Sequence, residues 1–123
     1  MNLKPWIHAF RLRTLPLALS SVALGCFIAY YDGAINWTVS ILAATTTLFL
    51  QILSNLANDY GDSKHGVDNT ERVGPVRAVQ SGDVSPKAMK KVVILFITLS
   101  LISGLWLIYE GTRGIPFWIV LTF

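Results

Sequence analysis

The chain has 123 residues, of which 53% are hydrophobic and only 14% are charged. A soluble domain carries about a quarter charged residues, so this composition excludes an ordinary water-soluble protein. The net charge of +3 comes from scattered residues rather than a basic stripe, which excludes a nucleic-acid-binding surface. One cysteine and two histidines are too few for a disulfide framework or a zinc cluster.

Three uncharged blocks follow one another along the chain: residues 14–31 (18 residues), 33–58 (26) and 92–109 (18). Each can cross a hydrocarbon core about 30 Å thick as a helix. A fourth apolar block runs from residue 114 to residue 123, so we expect the N-terminal part of a longer protein. The predicted fold class is all-α, a polytopic transmembrane helical bundle. Its spans are about 15–32, 36–58, 91–109 and 115–123, the last one truncated, with a loop over 59–90.

Basic residues predict the orientation of these spans. Before the first span and between the second and third lie Lys4, Arg11, Arg13, Lys64, Arg72, Arg77, Lys87, Lys90 and Lys91. None lies between the first and second spans. Because Lys and Arg favour the cytoplasmic side, the N-terminus and the 59–90 loop are predicted to be cytoplasmic, in a multi-pass protein of the inner membrane.

The second span ends in a polar cluster. Asn55, Asn58, Asp59 and Asp62 are spaced i, i+3, i+4 and i+7, so they share one helix face. Carboxylates at a helix C-terminus oppose the helix dipole, which calls for a positive partner. Asp68 follows closely enough for the chain to turn back and add a third carboxylate. This set predicts a Mg²⁺ site shared with substrate phosphates; the alternative is a solvated helix end.

Basic residues flank a Gly-Pro turn after the cluster. Arg72 and Arg77 lie on either side of the turn, and Lys64 precedes it. Arginine binds phosphate oxygens through two parallel hydrogen bonds, whereas lysine acts as a point charge. Acidic metal ligands beside these groups predict a diphosphate site. The alternative is that the arginines only set the topology, as we expect for the later lysines.

Residues 58–68, Asn-Asp-Tyr-Gly-Asp-Ser-Lys-His-Gly-Val-Asp, resemble the first aspartate-rich motif of the UbiA superfamily of intramembrane prenyltransferases. The usual third acid of that motif falls at Gly66 here, and the acid comes instead at Asp68, as in the naphthoate branch of the superfamily. Residues 9–16, and residues 72–77 with Gly82, fit the same branch.

This resemblance implies nine transmembrane helices around a central cavity, with a second acidic motif beyond residue 123. The part in hand is therefore expected to be inactive alone. The implied enzyme is a Mg²⁺-dependent polyprenyltransferase embedded in the lipid bilayer. It would transfer the prenyl group of a polyprenyl diphosphate to 1,4-dihydroxy-2-naphthoate with loss of carbon dioxide, forming demethylmenaquinone in menaquinone biosynthesis.

The resemblance also assigns roles to single residues. Asn58, Asp62 and Asp68 match the motif positions that hold the magnesium diphosphate, and Asn55 and Asp59 are their neighbours on the same face. The predicted metal ligands are therefore Asn58, Asp59, Asp62 and Asp68. The predicted substrate-binding residues are Asn55, Asn58, Lys64, Arg72 and Arg77, of which the three basic ones are assigned by their chemistry and not by the resemblance. Asp62, Lys64 and Arg77 are the expected catalytic residues, the two basic ones being placed on diphosphate oxygens by their chemistry.

Other functions remain open at this point. The acceptor could be 4-hydroxybenzoate or a haem or tocopherol precursor. A secondary transporter would use polar residues to bind a coupling ion near the bilayer midplane, and a structural membrane subunit would use them only for helix packing. The position of the acids at a cytoplasmic helix end, next to a basic loop, favours the enzyme.

Overall fold

The computed structural model describes residues 3–64 and 84–122. In this part of the chain the regular elements are α1 (Lys4–Phe10), a 3₁₀ turn (Leu12–Thr14), α2 (Leu15–Tyr31), α3 (Trp37–Lys64), α4 (Pro86–Gly111) and α5 (Phe117–Leu121). Three segments are long and apolar enough to cross a membrane: Lys4–Tyr31, Trp37–Asp62 and Pro86–Gly111. The predicted class, an all-α bundle of membrane-spanning helices, is confirmed.

The helices α3 and α4 extend beyond the apolar blocks. α3 continues to Lys64, six residues past the predicted end at 58, and α4 begins at Pro86, five residues before the predicted start at 91. Both helices therefore continue past the predicted spans into the segment 59–90. A helix is held by backbone hydrogen bonds rather than by apolar side chains, so its polar ends can continue past the hydrocarbon.

Polar side chains fix where the long helices begin. Asn36 Oδ1 accepts a hydrogen bond from the backbone N–H of Val39 at 3.2 Å, at the start of α3. Ser85 Oγ accepts one from the N–H of Ala88 at 3.2 Å, and a proline follows Ser85 in the first turn of α4. Each cap satisfies an N–H that has no partner within its own helix.

The helix α3 lies at the centre and packs against α1, α2 and α4. One buried apolar cluster consists of Ala9, Leu56, Val84, Met89 and Phe96. The Phe96 ring meets Phe10 and Phe49 edge to face, with centroids 5.6 and 6.0 Å apart, an arrangement that aromatic pairs prefer. This cluster therefore joins α1, the C-terminal half of α3 and the start of α4 at one end of the bundle.

By contrast, α2 has no buried residue. Leu17 and Phe27 are 78% and 72% exposed. Outward-facing apolar side chains on a hydrogen-bonded helix suit contact with lipid or with further helices. The fold therefore places its best-packed region at the end where the polar residues of α3 lie.

Candidate functional site

A polar stripe runs along the C-terminal half of α3. Gln51, Asn55, Asp59 and Asp62 recur at i, i+4, i+8 and i+11 and so lie along one face of the helix. Two of them point into the bundle, since Asn55 is only 4% exposed and Asp59 only 2%. Asp62 is half-buried, and Asn58, at the edge of the predicted face, is exposed.

The stripe holds the junction between α1 and α2 through its two amide side chains. Asn55 Nδ2 donates to the Phe10 carbonyl oxygen at 2.9 Å and to Thr14 Oγ1 at 3.1 Å. Gln51 Nε2 donates to the same hydroxyl oxygen at 3.4 Å. The Thr14 hydroxyl in turn donates to the Arg11 carbonyl oxygen at 2.8 Å. We call these four residues, Gln51, Asn55, Thr14 and Phe10, the junction clamp.

The backbone at the junction takes a rare conformation. Arg11 has φ 55° and ψ 59°, which is the left-handed region, and it ends α1. For a residue with a Cβ this conformation costs about 1–2 kcal/mol. The chain then enters the 3₁₀ turn, where the Thr14 N–H donates to the Arg11 carbonyl at 2.9 Å. Hydrogen bonds from α3 therefore stabilise a backbone that would otherwise be unfavourable.

An open pocket of about 420 Å³ lies beside the junction. Its lining residues are Ile7, His8, Arg11, Leu12, Arg13 and Thr14. Thr14 belongs both to this pocket and to the junction clamp, so the wall of the pocket is tied directly to the polar stripe of α3. Residues that the sequence marked mainly as topological signals, Arg11 and Arg13, thus line a cavity next to that stripe.

The acidic residues of the stripe suit a divalent cation in their chemistry. Asp59 and Asp62 supply carboxylate oxygens, and neither is without an interaction partner. Among residues 3–64 and 84–122, no group of three or more His, Cys, Asp and Glu side chains could hold a metal. Mg²⁺ commonly takes only one or two carboxylates and completes its coordination with water and substrate phosphates. Two carboxylates on α3 therefore fit a shared site rather than a cage formed by α3 alone.

Several predicted site residues lie outside the described part of the chain. These are Asp68, Arg72 and Arg77, together with the side chain of Lys64. The metal-binding and diphosphate-binding roles of all the acidic and basic residues stay predictions.

Sequence reasoning did not single out Gln51 or Thr14 as site residues. The available signal was that Gln51 is an amide residue one helical turn before Asn55, within a largely apolar block. Nothing local in the sequence marked Thr14 as the residue that both amides contact.

The fold and the site define a multi-pass helical membrane protein whose second membrane-spanning segment ends in the polar stripe, with Asp59 and Asp62 as its acidic residues. The chain belongs to the UbiA prenyltransferase family, whose model matches residues 18–122.

Curated relatives carry a common name, 1,4-dihydroxy-2-naphthoate octaprenyltransferase. The protein of Escherichia coli (strain K12) is 42% identical over 103 residues, which cover 84% of this chain and 33% of the relative. That of Haemophilus influenzae is 44% identical over 109 residues, 87% of this chain and 35% of the relative. That of Mycobacterium tuberculosis is 35% identical over 114 residues, which cover 86% of this chain and 39% of the relative. The chain thus spans between 33% and 39% of these relatives. No solved structure gives a significant match.

Proposed function

We propose that this protein transfers a polyprenyl group from a polyprenyl diphosphate to 1,4-dihydroxy-2-naphthoate, releasing diphosphate and carbon dioxide and forming the quinol of demethylmenaquinone in menaquinone biosynthesis. The observation that carries the proposal is the stripe of buried Asn55 and Asp59 with Asp62 at the end of α3. It lies within the segment that matches the prenyltransferase family. The names of the relatives support the naphthoate acceptor and the prenyl donor.

The proposed reaction breaks the bond between the allylic carbon and the diphosphate oxygen. Bound Mg²⁺ supplies positive charge that stabilises the departing diphosphate. Asp59 and Asp62 are proposed to hold that cation with carboxylate oxygens, with Asn58 and Asp68 as further ligands. Lys64, Arg72 and Arg77 are proposed to bind the diphosphate oxygens on which charge accumulates. The ring carbon of the acceptor forms the new carbon–carbon bond, and its carboxylate leaves as carbon dioxide.

The same proposal places the site at the cytoplasmic face of the inner membrane. The basic residues around the acidic stripe support that orientation, because they concentrate on one side of the spans. Both substrates suit such a site, since the diphosphate and the carboxylate are water-soluble groups and the prenyl chain is apolar.

The direct test is an assay of the complete protein reconstituted in lipid vesicles. Octaprenyl diphosphate is offered with 1,4-dihydroxy-2-naphthoate carrying a labelled carboxyl group, with 4-hydroxybenzoate as the competing acceptor. We expect a prenylated naphthoquinol, released labelled carbon dioxide, and loss of turnover when a chelator removes Mg²⁺. Prenylation of 4-hydroxybenzoate alone, or a product that keeps the label, would contradict the proposed acceptor chemistry. Absence of any prenyl transfer would contradict the enzyme assignment.

A further inference from the structure

We propose that Asn55 and Gln51 are positioning residues, whose amide groups hold the Thr14 hydroxyl and the Phe10 carbonyl and thereby fix the α1–α2 junction against the acidic end of α3. The proposal deepens the proposed function and rests on it where turnover is the readout. The mechanistic claim is that Asn55 acts through the junction clamp rather than by donating a hydrogen bond to a substrate.

Bonds at the junction use both N–H donors of Asn55 and the full hydrogen-bonding capacity of the Thr14 hydroxyl. The side-chain amide of asparagine has two N–H donors. Asn55 Nδ2 donates one to the Phe10 carbonyl oxygen and the other to Thr14 Oγ1. A hydroxyl has one donor and two acceptor positions. Thr14 Oγ1 donates to the Arg11 carbonyl and accepts from both Asn55 and Gln51. The amide nitrogen of Asn55 therefore has no hydrogen left for a substrate.

The orientation of the Asn55 amide follows from its partners. A backbone carbonyl can only accept a hydrogen bond, and the Thr14 hydroxyl already donates its hydrogen to Arg11. Both groups therefore require the nitrogen, not the oxygen, of the Asn55 side chain. The side chain is 4% exposed, so water cannot readily replace these bonds.

The clamp holds a short helix that ends in a left-handed residue. The left-handed Arg11 separates α1 from the 3₁₀ turn, and α1 has only seven residues. Besides the clamp, α1 is secured by buried Ala9 and by the contact of Phe10 with Phe96. Since Thr14 also lines the pocket at the junction, the clamp sets where that pocket lies relative to Asp59, one turn beyond Asn55 on the same helix face.

A double-mutant cycle in the complete protein separates positioning from direct substrate binding. Thr14→Val removes the hydroxyl with little change in shape, and Asn55→Leu removes the amide. If both act through one clamp, each lowers kcat about tenfold, the scale of losing one or two net hydrogen bonds, and the double variant loses clearly less than the product of the two single losses, because only the bond of Asn55 to Phe10 is independent of Thr14. Independent losses that multiply to about a hundredfold would overturn the proposal, because Asn55 would then act without Thr14.

Matched variants distinguish positioning from a general loss of stability. Thr14→Ser keeps the hydroxyl and is expected to restore kcat to within about twofold of the original. Thr46→Val removes another buried hydroxyl of α3, bonded to Ser103 at 3.0 Å, and is expected to leave kcat unchanged. Gln51→Met removes the longer bond and gives a smaller loss, which provides a second variant should Thr14→Val not fold. Unchanged kcat in Thr14→Val, or no rescue by serine, would overturn the proposal.

A distance measurement tests the geometry without any turnover. Spin labels are placed at Ile7 on α1 and Ala57 on α3, both exposed, in a complete protein from which Cys26 and any other cysteines have been removed. We expect one narrow distance distribution in the parent and in Thr46→Val, and a broader one in Thr14→Val and Asn55→Leu. Equal widths in all four would overturn the clamp even if the enzyme is active. Broadening without prenyl transfer would uphold the clamp and reject only the proposed function.

Discussion

Thr46 Oγ1 donates a hydrogen bond to Ser103 Oγ at 3.0 Å, across the interface of the two longest helices. The Ser103 hydroxyl in turn donates a hydrogen bond to the Ser100 carbonyl oxygen at 3.3 Å. Gly104 lies alongside, where an added Cβ would stand 3.7 Å from Thr46 Cγ2. Small residues that bring helix backbones together, joined by hydroxyl hydrogen bonds, are typical of helix packing in membranes.

Removing this bond is expected to weaken the bundle modestly. Thr46→Val keeps the shape of the side chain and should lower the free energy of unfolding by about 0.6 kcal/mol, the average for interhelical hydrogen bonds in a membrane protein. Unfolding in mixed micelles measures the change. Thr98→Val is the control, because the exposed Thr98 hydroxyl donates to the Ile94 carbonyl oxygen of its own helix rather than across the interface. Equal losses in the two variants would show that the interface bond contributes nothing of its own.

The charge of Asp62 is expected to be needed for turnover. Asp62→Asn keeps the volume and removes the charge proposed to hold Mg²⁺, so prenyl transfer should fall at least about a hundredfold, the scale of losing one preorganised electrostatic group. The control is Asp32→Asn, the same change at the exposed C-cap of α2. Activity of Asp62→Asn within a few-fold of the parent at saturating Mg²⁺ would exclude Asp62 as a metal ligand.

The geometry of Arg77 is expected to matter beyond its charge. Arg77→Lys should lose about 1.5–3 kcal/mol of interaction with the diphosphate, the range for a hydrogen bond to a charged group. Kinetics with each substrate varied separately should show the loss as a raised KM for polyprenyl diphosphate. A raised KM for the acceptor alone would instead assign Arg77 to the carboxylate of the acceptor. If neither KM changed, Arg77 would contribute only to the orientation of the spans in the membrane.

Arg113→Lys provides the matched control for that substitution. Arg113 pairs with Glu110 at 3.7 Å and lies over the ring of Tyr109. A hydrogen bond with Tyr109 and the charge of Glu110 raise the pKa of Arg113. The start of α4 packs near the polar stripe of α3, whereas Arg113 follows the other end of α4. Its replacement by lysine should therefore leave both KM values unchanged.

Cysteine labelling tests the orientation. In a background with Cys26→Ala, Ala34→Cys should react with an impermeant thiol reagent in intact cells, since no basic residue lies between the first two spans. Ser81→Cys should react only after the inner membrane is opened. The opposite pattern would place the acidic stripe on the outer face, away from cytoplasmic substrates.

The sequence was sufficient for the helices but not for their ends. Uncharged blocks of 18 and 26 residues can cross a bilayer as helices, and the structure contains such segments. Helical spacing already placed Asp59 and Asp62 on the second helix, but the end of α3 at Lys64 and the start of α4 at Pro86 were not predicted. Apolar patterning indicates contact with lipid and not the continuation of backbone hydrogen bonds.

The site was predictable only in its local spacing. Helical periodicity placed Asn55 and Asp59 on one face. The bonds that Asn55 makes join residues 45 and 41 positions apart, and no local pattern encodes such contacts. The left-handed Arg11 was equally hidden, because nothing in its residue type favours that conformation.

The break at Arg11 also determines how much of the first apolar segment can run through the bilayer. α2 has 17 residues, about 26 Å at 1.5 Å per residue, which is slightly less than a hydrocarbon core of about 30 Å. Because α2 alone comes within about one helical turn of spanning that core, α1, with Lys4 and Trp6, suits the level of the lipid headgroups, where such residues are favoured. On the proposed function, the polar junction would then lie at the depth where the polyprenyl diphosphate keeps its charged head while its tail extends into the membrane. The bilayer itself would hold that charged head at the depth of the acidic residues. The protein would then need to position the head only laterally, in the plane of the membrane.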